Sequence, residues 1–272
     1  MRRDIETGTD ELLCHVANGV GVITLNRPAA RNALSRRLSP ALRRMIALLA
    51  HDDEVGAILV TGAGGAFCAG GDVKSMASDG GAPVLSPEQR VTKLIEGQAR
   101  MTGALWQVQK PTLAALPGPA AGAGLALALA CDMRIAAQSA FVTTGYSNIG
   151  LSGDYGVTWF LTQLVGVSKA MELLYLAERL EAAACLELGL VNRVVPDDEL
   201  MDEALALARR LAERPRNALA FMKAHVHRAA LGTPLDACLE HEARAIVELS
   251  DGDEFKQTVK AFAARMGARK SS

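Results

Sequence analysis

The chain has 272 residues, a formal net charge of −1 and 50% hydrophobic residues. That length allows one large domain with a sizeable buried core. Its basic residues are scattered along the chain rather than grouped in stripes, which argues against a nucleic-acid-binding surface.

Cysteine spacing and the lack of long apolar runs narrow the class of protein further. The five cysteines are widely separated and form no C-x-x-C pair, which argues against both a disulfide framework and a zinc site. The first residues, MRRDIETGTDE, are charged, and no apolar run reaches the length of a membrane span. We therefore expect a soluble, cytoplasmic protein with reduced, buried thiols, no bound metal and no membrane segment.

Strand and helix patterns alternate through the first half of the chain. Short β-like runs at residues 12–16 and 20–25 precede a helix at 36–50, whose apolar residues recur at spacings of three and four. Further strand patterns lie at 55–61, 111–116 and 131–136, and further helix patterns at 88–108 and 122–130. Such alternation predicts an α/β fold rather than a helical bundle.

The later part of the chain is almost wholly helical in pattern. Candidate helices lie at residues 200–211, 216–230, 235–249 and 255–266. No linker sets them apart, so we expect a core of residues 1–196 and a helical region, 197–272, that packs on it. Residues 77–87, rich in Gly, Pro and Ser, predict a mobile loop that could form a lid or a pocket wall.

Two turns of small residues give the main functional signal. AFCAGGD (66–72) and GPAAGAGLALALACD (118–132) each follow a pattern typical of a buried strand, and the second opens an apolar helix. Gly and Ala let backbone N–H groups approach a ligand closely, and two such donors on one oxygen form an oxyanion hole. Small residues also allow a helix to pack closely on a strand, so the pattern alone leaves both interpretations open.

These motifs resemble those of the crotonase (enoyl-CoA hydratase/isomerase) superfamily. The resemblance extends to ITLNRPAARNAL (23–34), IGLSGDYGVTWFLTQLVG (149–166) and the run at 184–196, in the family's order. It implies a crotonase-like fold of stacked β-β-α units with a C-terminal helical region at the subunit interfaces of a homotrimer or a dimer of trimers. It also implies an acyl-CoA thioester substrate, so coenzyme A is part of the substrate and no separate cofactor is expected.

The resemblance also assigns the oxyanion hole. Its donors would be the backbone N–H groups of Gly71, in the first turn, and of Ala123, in the second. Because main-chain groups donate, Ala123 in place of the commoner glycine need not abolish the site.

The acid–base residues differ from those of hydratases. Hydratases of this family use two glutamates to activate water, and the matching positions here hold Ala126 and Tyr146. Neither residue can act as a carboxylate base, so hydration by two glutamates is not expected. We expect Tyr146 to be mainly a packed ring, with a hydroxyl in the pocket as the alternative.

Asp154 is the candidate catalytic carboxylate. It matches the catalytic aspartate of isomerase-like and dehalogenase-like members, and its apolar sequence neighbours would raise its pKa. The alternative is an N-cap for a helix at 156–164, and the two roles are compatible.

One carboxylate and an oxyanion hole suffice to move a double bond by proton transfer through a dienolate. We therefore predict an enoyl-CoA isomerase acting on a fatty or aromatic-derived acyl-CoA. Three alternatives stay open: nucleophilic attack by Asp154, hydration or hydrolysis through Asp154 or another acid such as Glu96, and a catalytically silent acyl-CoA-binding oligomer.

For the nucleotide of coenzyme A, the resemblance indicates Arg27, Arg31, Ala69 and Lys74. Phe262 and Arg265 match an aromatic and a basic residue that a neighbouring subunit contributes in relatives.

Other polar residues have structural interpretations. Asp72 and Asp132 are expected to be structural, with Asp132 anchoring backbone or Arg134. His225 and His227 lie two apart on a helix and would point to different faces, which argues against a metal site.

Overall fold

The computed structural model describes residues 1–72 and 85–269, and the side chains among them as far as residue 263. Lys74, residues 77–84 of the expected loop and the side chain of Arg265 therefore lie outside the described part of the chain.

In the described ranges, ten strands form two sheets. The strands are β1 (Arg2–Ile5), β2 (Leu12–Ala17), β3 (Val20–Leu25), β4 (Ala57–Gly62), β5 (Thr112–Leu116), β6 (Ala120–Ala121), β7 (Met133–Ala137), β8 (Phe141–Thr143), β9 (Leu180–Glu181) and β10 (Arg193–Val195). The larger sheet has seven strands in the order β1-β2-β3-β4-β5-β7-β10, and the smaller has three in the order β6-β8-β9.

The helices follow in chain order. They are α1 (Leu38–His51), α2 (Pro87–Gln98), α3 (Ala104–Gln107), α4 (Ala123–Leu129), α5 (Val157–Leu176), α6 (Ala182–Glu187), α7 (Leu200–Ala212), α8 (Arg216–Ala230), α9 (Leu235–Asp251) and α10 (Asp253–Arg269). A π-helical stretch, Ala99–Gly103, joins α2 to α3. Within the described ranges, none of these helices has the length and hydropathy needed to span a bilayer.

Parallel pairing in the large sheet determines where the site lies. Strands β1, β2 and β3 pair antiparallel, whereas β3, β4, β5, β7 and β10 pair parallel. The carboxyl ends of parallel neighbours meet at one edge of a sheet. The turns that follow β4 and β5, which are the two small-residue turns, therefore meet at the same edge.

The core confirms the apolar patterns of the sequence. Strand β5 is buried along its whole length and β4 at all but its last residue, as expected of parallel strands covered on both faces. The inner face of α1 is buried through Leu38, Ala41, Leu42, Met45, Ile46 and Leu49. Helix α7 packs across β4 and β5. The structure is the mixed α/β fold with a helical C-terminal region that the sequence predicts.

Helix and strand bounds differ from the sequence expectation in a few places. The predicted helix at 88–108 is three segments, because the π-helical stretch interrupts it. The helix after Asp154 runs to Leu176 rather than ending near residue 164, with a non-helical Gly166 inside it. Strand β1, the short strands of the small sheet, β10 and α6 were not predicted.

Candidate active site

The two small-residue turns are in direct contact. The amide of Cys68 donates to the carbonyl oxygen of Pro119 over 3.1 Å, and the amide of Ala121 donates to the carbonyl oxygen of Cys68 over 2.9 Å. A parallel bridge pairs Cys68 with Ala120. These bonds fasten the first turn alongside the entry to α4.

Glycine is required where the turns approach each other. A Cβ on Gly70, whose φ is +88°, would lie 2.7 Å from the carbonyl oxygen of Ala121 and 3.3 Å from the amide nitrogen of Ala123. A Cβ on Gly124 would lie 2.2 Å from the carbonyl oxygen of Cys68. Both distances to oxygen are shorter than real Cβ contacts, so any side chain at either position would push the turns apart.

The turns present the two expected amide donors. Ala123 is the first residue of α4, so its N–H has no acceptor one turn earlier in the helix. Gly71 lies opposite Leu34 in a parallel β-bridge, and the carbonyl of the preceding Gly70 accepts the N–H of Leu34 over 2.8 Å. Among the residues that the structure describes, neither the Gly71 N–H nor the Ala123 N–H has a hydrogen-bond acceptor. That these two N–H groups share one ligand oxygen stays a prediction.

Asp154 is linked to the second turn through Tyr146. The Tyr146 hydroxyl donates to Oδ1 of Asp154 over 2.6 Å. A Cβ on Gly122, the residue before α4, would lie 3.7 Å from Cζ and 3.8 Å from Oη of Tyr146. One tyrosine thus links the candidate base to the turn that presents the Ala123 N–H.

The electrostatics of this pair suit proton transfer. Burial raises the pKa of the Asp154 carboxyl, and the hydrogen bond from Tyr146 acts in the opposite direction because it stabilises the carboxylate. Burial and the bond to Asp154 raise the pKa of Tyr146 above the usual value of a phenol. Tyr146 therefore stays protonated and acts as a donor at neutral pH.

The Asp154 side chain does not cap α5, and Tyr146 both packs in the core and reaches the site. The N-cap of α5 is Gly156, with a φ of +79° and no side-chain cap, so Asp154 does not cap that helix through its carboxylate. Only its carbonyl participates, accepting the N–H of Val157 over 3.1 Å. Tyr146 is a packed ring, 7% exposed, and its hydroxyl also reaches the site.

The position of the first hydratase glutamate offers no acid. Ala126 is fully buried inside α4. Glu96, the other acid considered for water activation, is exposed on α2. Of the candidate acids Asp154 and Glu96, Asp154 is the one linked to the second turn, through Tyr146.

Arg27 and Arg31 have different surroundings. The Arg27 guanidinium lies 3.1 Å from Asp72 and 3.5 Å from Glu11, and it donates to the carbonyl of Ala33 over 2.7 Å. These contacts bind the segment before α1 to the first turn and agree with a structural role for Asp72. Arg31 is exposed, and its carbonyl accepts the N–H of Ala69 over 2.9 Å. Arg31 and Ala69 thus lie side by side at the rim of the first turn.

Phe262 lies far from the two turns of its own chain. It is 63% exposed and lines a cavity with Arg210 and Arg214 at the C-terminal end of α7. Ala212 of that helix contacts Gly56, the residue before β4, whereas the turns follow the end of β4. The structure of one chain does not bring Phe262 to the site, and its role in a neighbouring subunit stays a prediction.

Asp132 has a different partner from the one expected. Its carboxylate accepts the N–H of Thr112 over 2.8 Å and pairs with Lys223 at 2.9 Å, rather than with Arg134. Arg134 is 4% exposed and donates to the carbonyls of Cys131 and Leu190. The anchoring role is confirmed, but its ionic partner comes from α8.

Metal and thiol chemistry find no support in the described ranges. His227 stacks on Trp106 with ring centroids 3.5 Å apart. No group of three or more His, Cys, Asp or Glu there could hold a metal ion. All five cysteines are free, and burial raises the pKa of Cys68 to about 12, which keeps that thiol protonated.

Sequence reasoning missed a second tyrosine near the site. Tyr155 follows Asp154 with a φ of +52°, and its N–H donates to Oε1 of Gln98 over 2.9 Å. Burial raises the pKa of its hydroxyl, and the nearby Arg43 of α1 acts in the opposite direction. The flanking glycines, Gly153 and Gly156, were the signal of a tight turn, but nothing local indicated partners on α1 and α2.

Comparison with known proteins finds relatives that match most of the chain. Residues 15–269 match the family model described as enoyl-CoA hydratase/isomerase. The chain is 39% identical over 249 residues to a probable enoyl-CoA hydratase of Rhodobacter capsulatus, covering 91% of this chain and 92% of that protein. It is 35% identical over 254 residues to a 1,2-epoxyphenylacetyl-CoA isomerase of Escherichia coli, covering 93% and 95%. It is 30% identical over 248 residues to a 4-chlorobenzoyl coenzyme A dehalogenase of Arthrobacter, covering 91% and 88%.

Solved structures show the same fold. A crystal structure of an enoyl-CoA hydratase from Polaromonas superposes with a TM-score of 0.86 at 31% identity, covering 93% of this chain and 97% of that one. An enoyl-CoA hydratase subunit from Geobacillus kaustophilus gives 0.84 at 33% identity, covering 94% and 95%. With the match over residues 15–269, these similarities establish that the chain belongs to the enoyl-CoA hydratase/isomerase family, within the crotonase superfamily.

Proposed function

We propose that this protein shifts the double bond of an enoyl-CoA by proton transfer through Asp154, with the thioester oxygen held by backbone N–H groups. The observation that carries this proposal is the half-buried Asp154 carboxylate beside the second turn, hydrogen-bonded to Tyr146. Its raised pKa suits a group that must both accept and return a proton.

The reaction follows from this arrangement. The thioester oxygen accepts hydrogen bonds from Gly71 and Ala123. Asp154 takes a proton from C2 of a 3-enoyl thioester, and the electron pair of the broken C–H bond becomes part of a dienolate whose negative charge lies on that oxygen. Protonation at C4 by the same carboxyl group gives the conjugated 2-enoyl thioester and restores the carboxylate.

Hydration is less well supported by the residues present. Adding water across the double bond requires a base that activates the water, and Ala126 and Tyr146 occupy the positions of the hydratase glutamates. Among the relatives, the isomerase acts on an epoxyphenylacetyl-CoA and the dehalogenase on a chlorobenzoyl coenzyme A, by their names. Aromatic-derived acyl groups therefore belong beside fatty acyl groups in a test of substrate class.

The remaining contacts with coenzyme A are part of the same proposal. Arg31, exposed at the rim of the first turn beside Ala69, would meet the nucleotide phosphates. Phe262 and Arg265 of a neighbouring subunit in a trimer or dimer of trimers would hold the adenine end. Coenzyme A enters as part of the substrate, and the proton transfer needs no further cofactor.

The test is a spectroscopic assay with 3-enoyl-CoA and, separately, 2-enoyl-CoA, in which the absorbance of the conjugated thioester is followed. We expect a rise with the 3-enoyl substrate. Replacing Asp154→Asn should lower turnover by about 10²- to 10⁴-fold, the usual effect of losing a general base, while acyl-CoA affinity by calorimetry stays unchanged. The matched control Asp198→Asn, at an exposed aspartate, should retain full activity.

Other outcomes would favour the alternatives. A fall in absorbance with 2-enoyl-CoA would mean hydration and would contradict the proposed reaction. Binding without turnover of any fatty or aromatic-derived substrate would favour a silent acyl-CoA-binding protein.

A further inference from the structure

We infer that Tyr146 is a positioning residue that holds Oδ1 of Asp154 through its phenol and leaves Oδ2 to exchange the proton with substrate. This inference rests on the proposed function and deepens it. Tyr146 stands where hydratases of the family have a glutamate. The tyrosine therefore removes one acid and also orients another, Asp154.

The backbone around Tyr146 is fixed. Its carbonyl accepts the N–H groups of Ile149 over 3.1 Å and of Leu151 over 3.0 Å, which closes a tight turn after β8. The ring is 7% exposed and packs in the hydrophobic core. A donor with so little freedom loses little conformational entropy when it binds a carboxylate, so it can define the carboxylate's orientation.

The hydrogen bond from Tyr146 makes the two carboxylate oxygens of Asp154 inequivalent. The phenol occupies Oδ1 at 2.6 Å, and within the described residues no other side chain donates to either oxygen. A carboxylate whose Oδ1 is held in this way exchanges a proton with substrate through Oδ2. Because the phenol also approaches Gly122, it sets the distance between that oxygen and the turn that holds the thioester.

Among the described residues, Tyr146 is the titratable group that acts on the pKa of Asp154. Tyr155 follows Asp154 in the chain, and Arg43 of α1 acts on the Tyr155 hydroxyl. Tyr155 stays neutral at physiological pH because burial raises its pKa too. Removing the Tyr146 hydroxyl should therefore change the titration of Asp154, whereas removing the Tyr155 hydroxyl should not.

The experiment is a pH titration of the Asp154 carboxyl carbon by ¹³C NMR, with the signal assigned from its absence in Asp154→Asn. Wild type, Tyr146→Phe and the matched control Tyr155→Phe are compared. In Tyr146→Phe we expect the apparent pKa to rise by about one unit, because a hydrogen bond to the charged form is lost. The acid limb of the pH profile of kcat/KM for 3-enoyl-CoA should move to higher pH by the same amount. We expect kcat to fall about tenfold and KM to change little. Tyr155→Phe should shift neither.

An unchanged Asp154 titration in a folded Tyr146→Phe protein would overturn the inference, as would lower activity with no movement of the pH profile. If Tyr146→Phe does not fold, the chain's three tyrosines can be replaced by 3-fluorotyrosine. Its more acidic phenol should lower the Asp154 pKa, and no shift would again overturn the inference. The titration needs no substrate, so a wild-type protein that titrates as expected but does not isomerise would contradict only the proposed reaction.

Discussion

Gly70 and Ala123 are in contact across the two turns: a Cβ on Gly70 would lie 3.3 Å from the amide nitrogen of Ala123. The same Cβ would lie 2.7 Å from the carbonyl oxygen of Ala121. Gly70 also precedes Gly71, so one residue fixes the spacing between both candidate oxyanion donors.

Replacing Gly70→Ala should therefore impair catalysis more than a typical surface change. The new methyl group must push the turns apart, and misplacing one oxyanion donor costs about 10²- to 10³-fold in kcat. The φ of +88° adds a conformational penalty of about 1–2 kcal/mol for a residue with a Cβ. Steady-state kinetics and urea unfolding would measure the two effects.

Gly65→Ala is the matched control. Gly65 also has a positive φ, +74°, but a Cβ there has no atom within 4 Å. It should lose about the same 1–2 kcal/mol of stability without losing activity. Equal losses of activity in both variants would show that backbone strain, and not the spacing of the turns, explains the effect.

The rate of isomerisation should depend on the ionisation of Asp154. The carboxylate is the active base, so kcat/KM should rise with pH through the pKa of Asp154 in the free enzyme. Burial raises that pKa, and the acid limb should therefore lie above the ordinary region for an aspartate. The residual activity of Asp154→Asn should lack this limb. A wild-type limb at or below the ordinary aspartate region would contradict the raised pKa.

Much of this site could be predicted because its signals are local in sequence. The turns around Gly71 and Ala123 are runs of small residues after buried strands, and parallel pairing then brings them to one edge of the sheet. Asp154 was a candidate because IGLSGDYG resembles a short family motif. Such features depend on residue type over a few positions, which a sequence displays directly.

Side-chain partners could not be predicted in the same way. Tyr146 and Asp154 are eight positions apart, and their bond depends on the tight turn between them. Asp132 and Lys223 are 91 positions apart, and only the packing of α8 on the core brings them together. The strands of the small sheet have two or three residues each, too few for a period to be seen.

Arg31 and Arg27 should respond differently to substitution. Arg31→Ala removes an exposed charge at the rim, so KM for acyl-CoA should rise several-fold while the melting temperature stays unchanged. The effect should weaken at high ionic strength, because charges exposed to solvent are screened. Kinetics at low and high salt would measure it.

Arg27→Ala is the comparison, because that guanidinium is engaged with Asp72 and Glu11. It should lower stability by about 1–3 kcal/mol, the cost of leaving partly buried polar partners unsatisfied. The opposite pattern, with stability lost in Arg31→Ala and KM alone changed in Arg27→Ala, would reverse the two roles.

The ion pair of Lys223 with Asp132 should support the fold and not the reaction. Lys223 has a side chain only 11% exposed and lies 2.9 Å from the carboxylate, so Lys223→Met leaves a half-buried charge without its partner. We expect a loss of about 2–3 kcal/mol, below the 3–5 kcal/mol of fully buried pairs.

At temperatures where it stays folded, Lys223→Met should be as active as wild type. Ala123 begins α4, whereas Asp132 follows the other end of that helix, which is about 10 Å long. The control Lys169→Met, which breaks an exposed pair with Glu172, should cost no more than about 0.5 kcal/mol. Adding Asp132→Asn to Lys223→Met should recover part of the lost stability, since the unpaired charge is then gone. A changed kcat with unchanged stability would instead place this pair in the catalytic machinery.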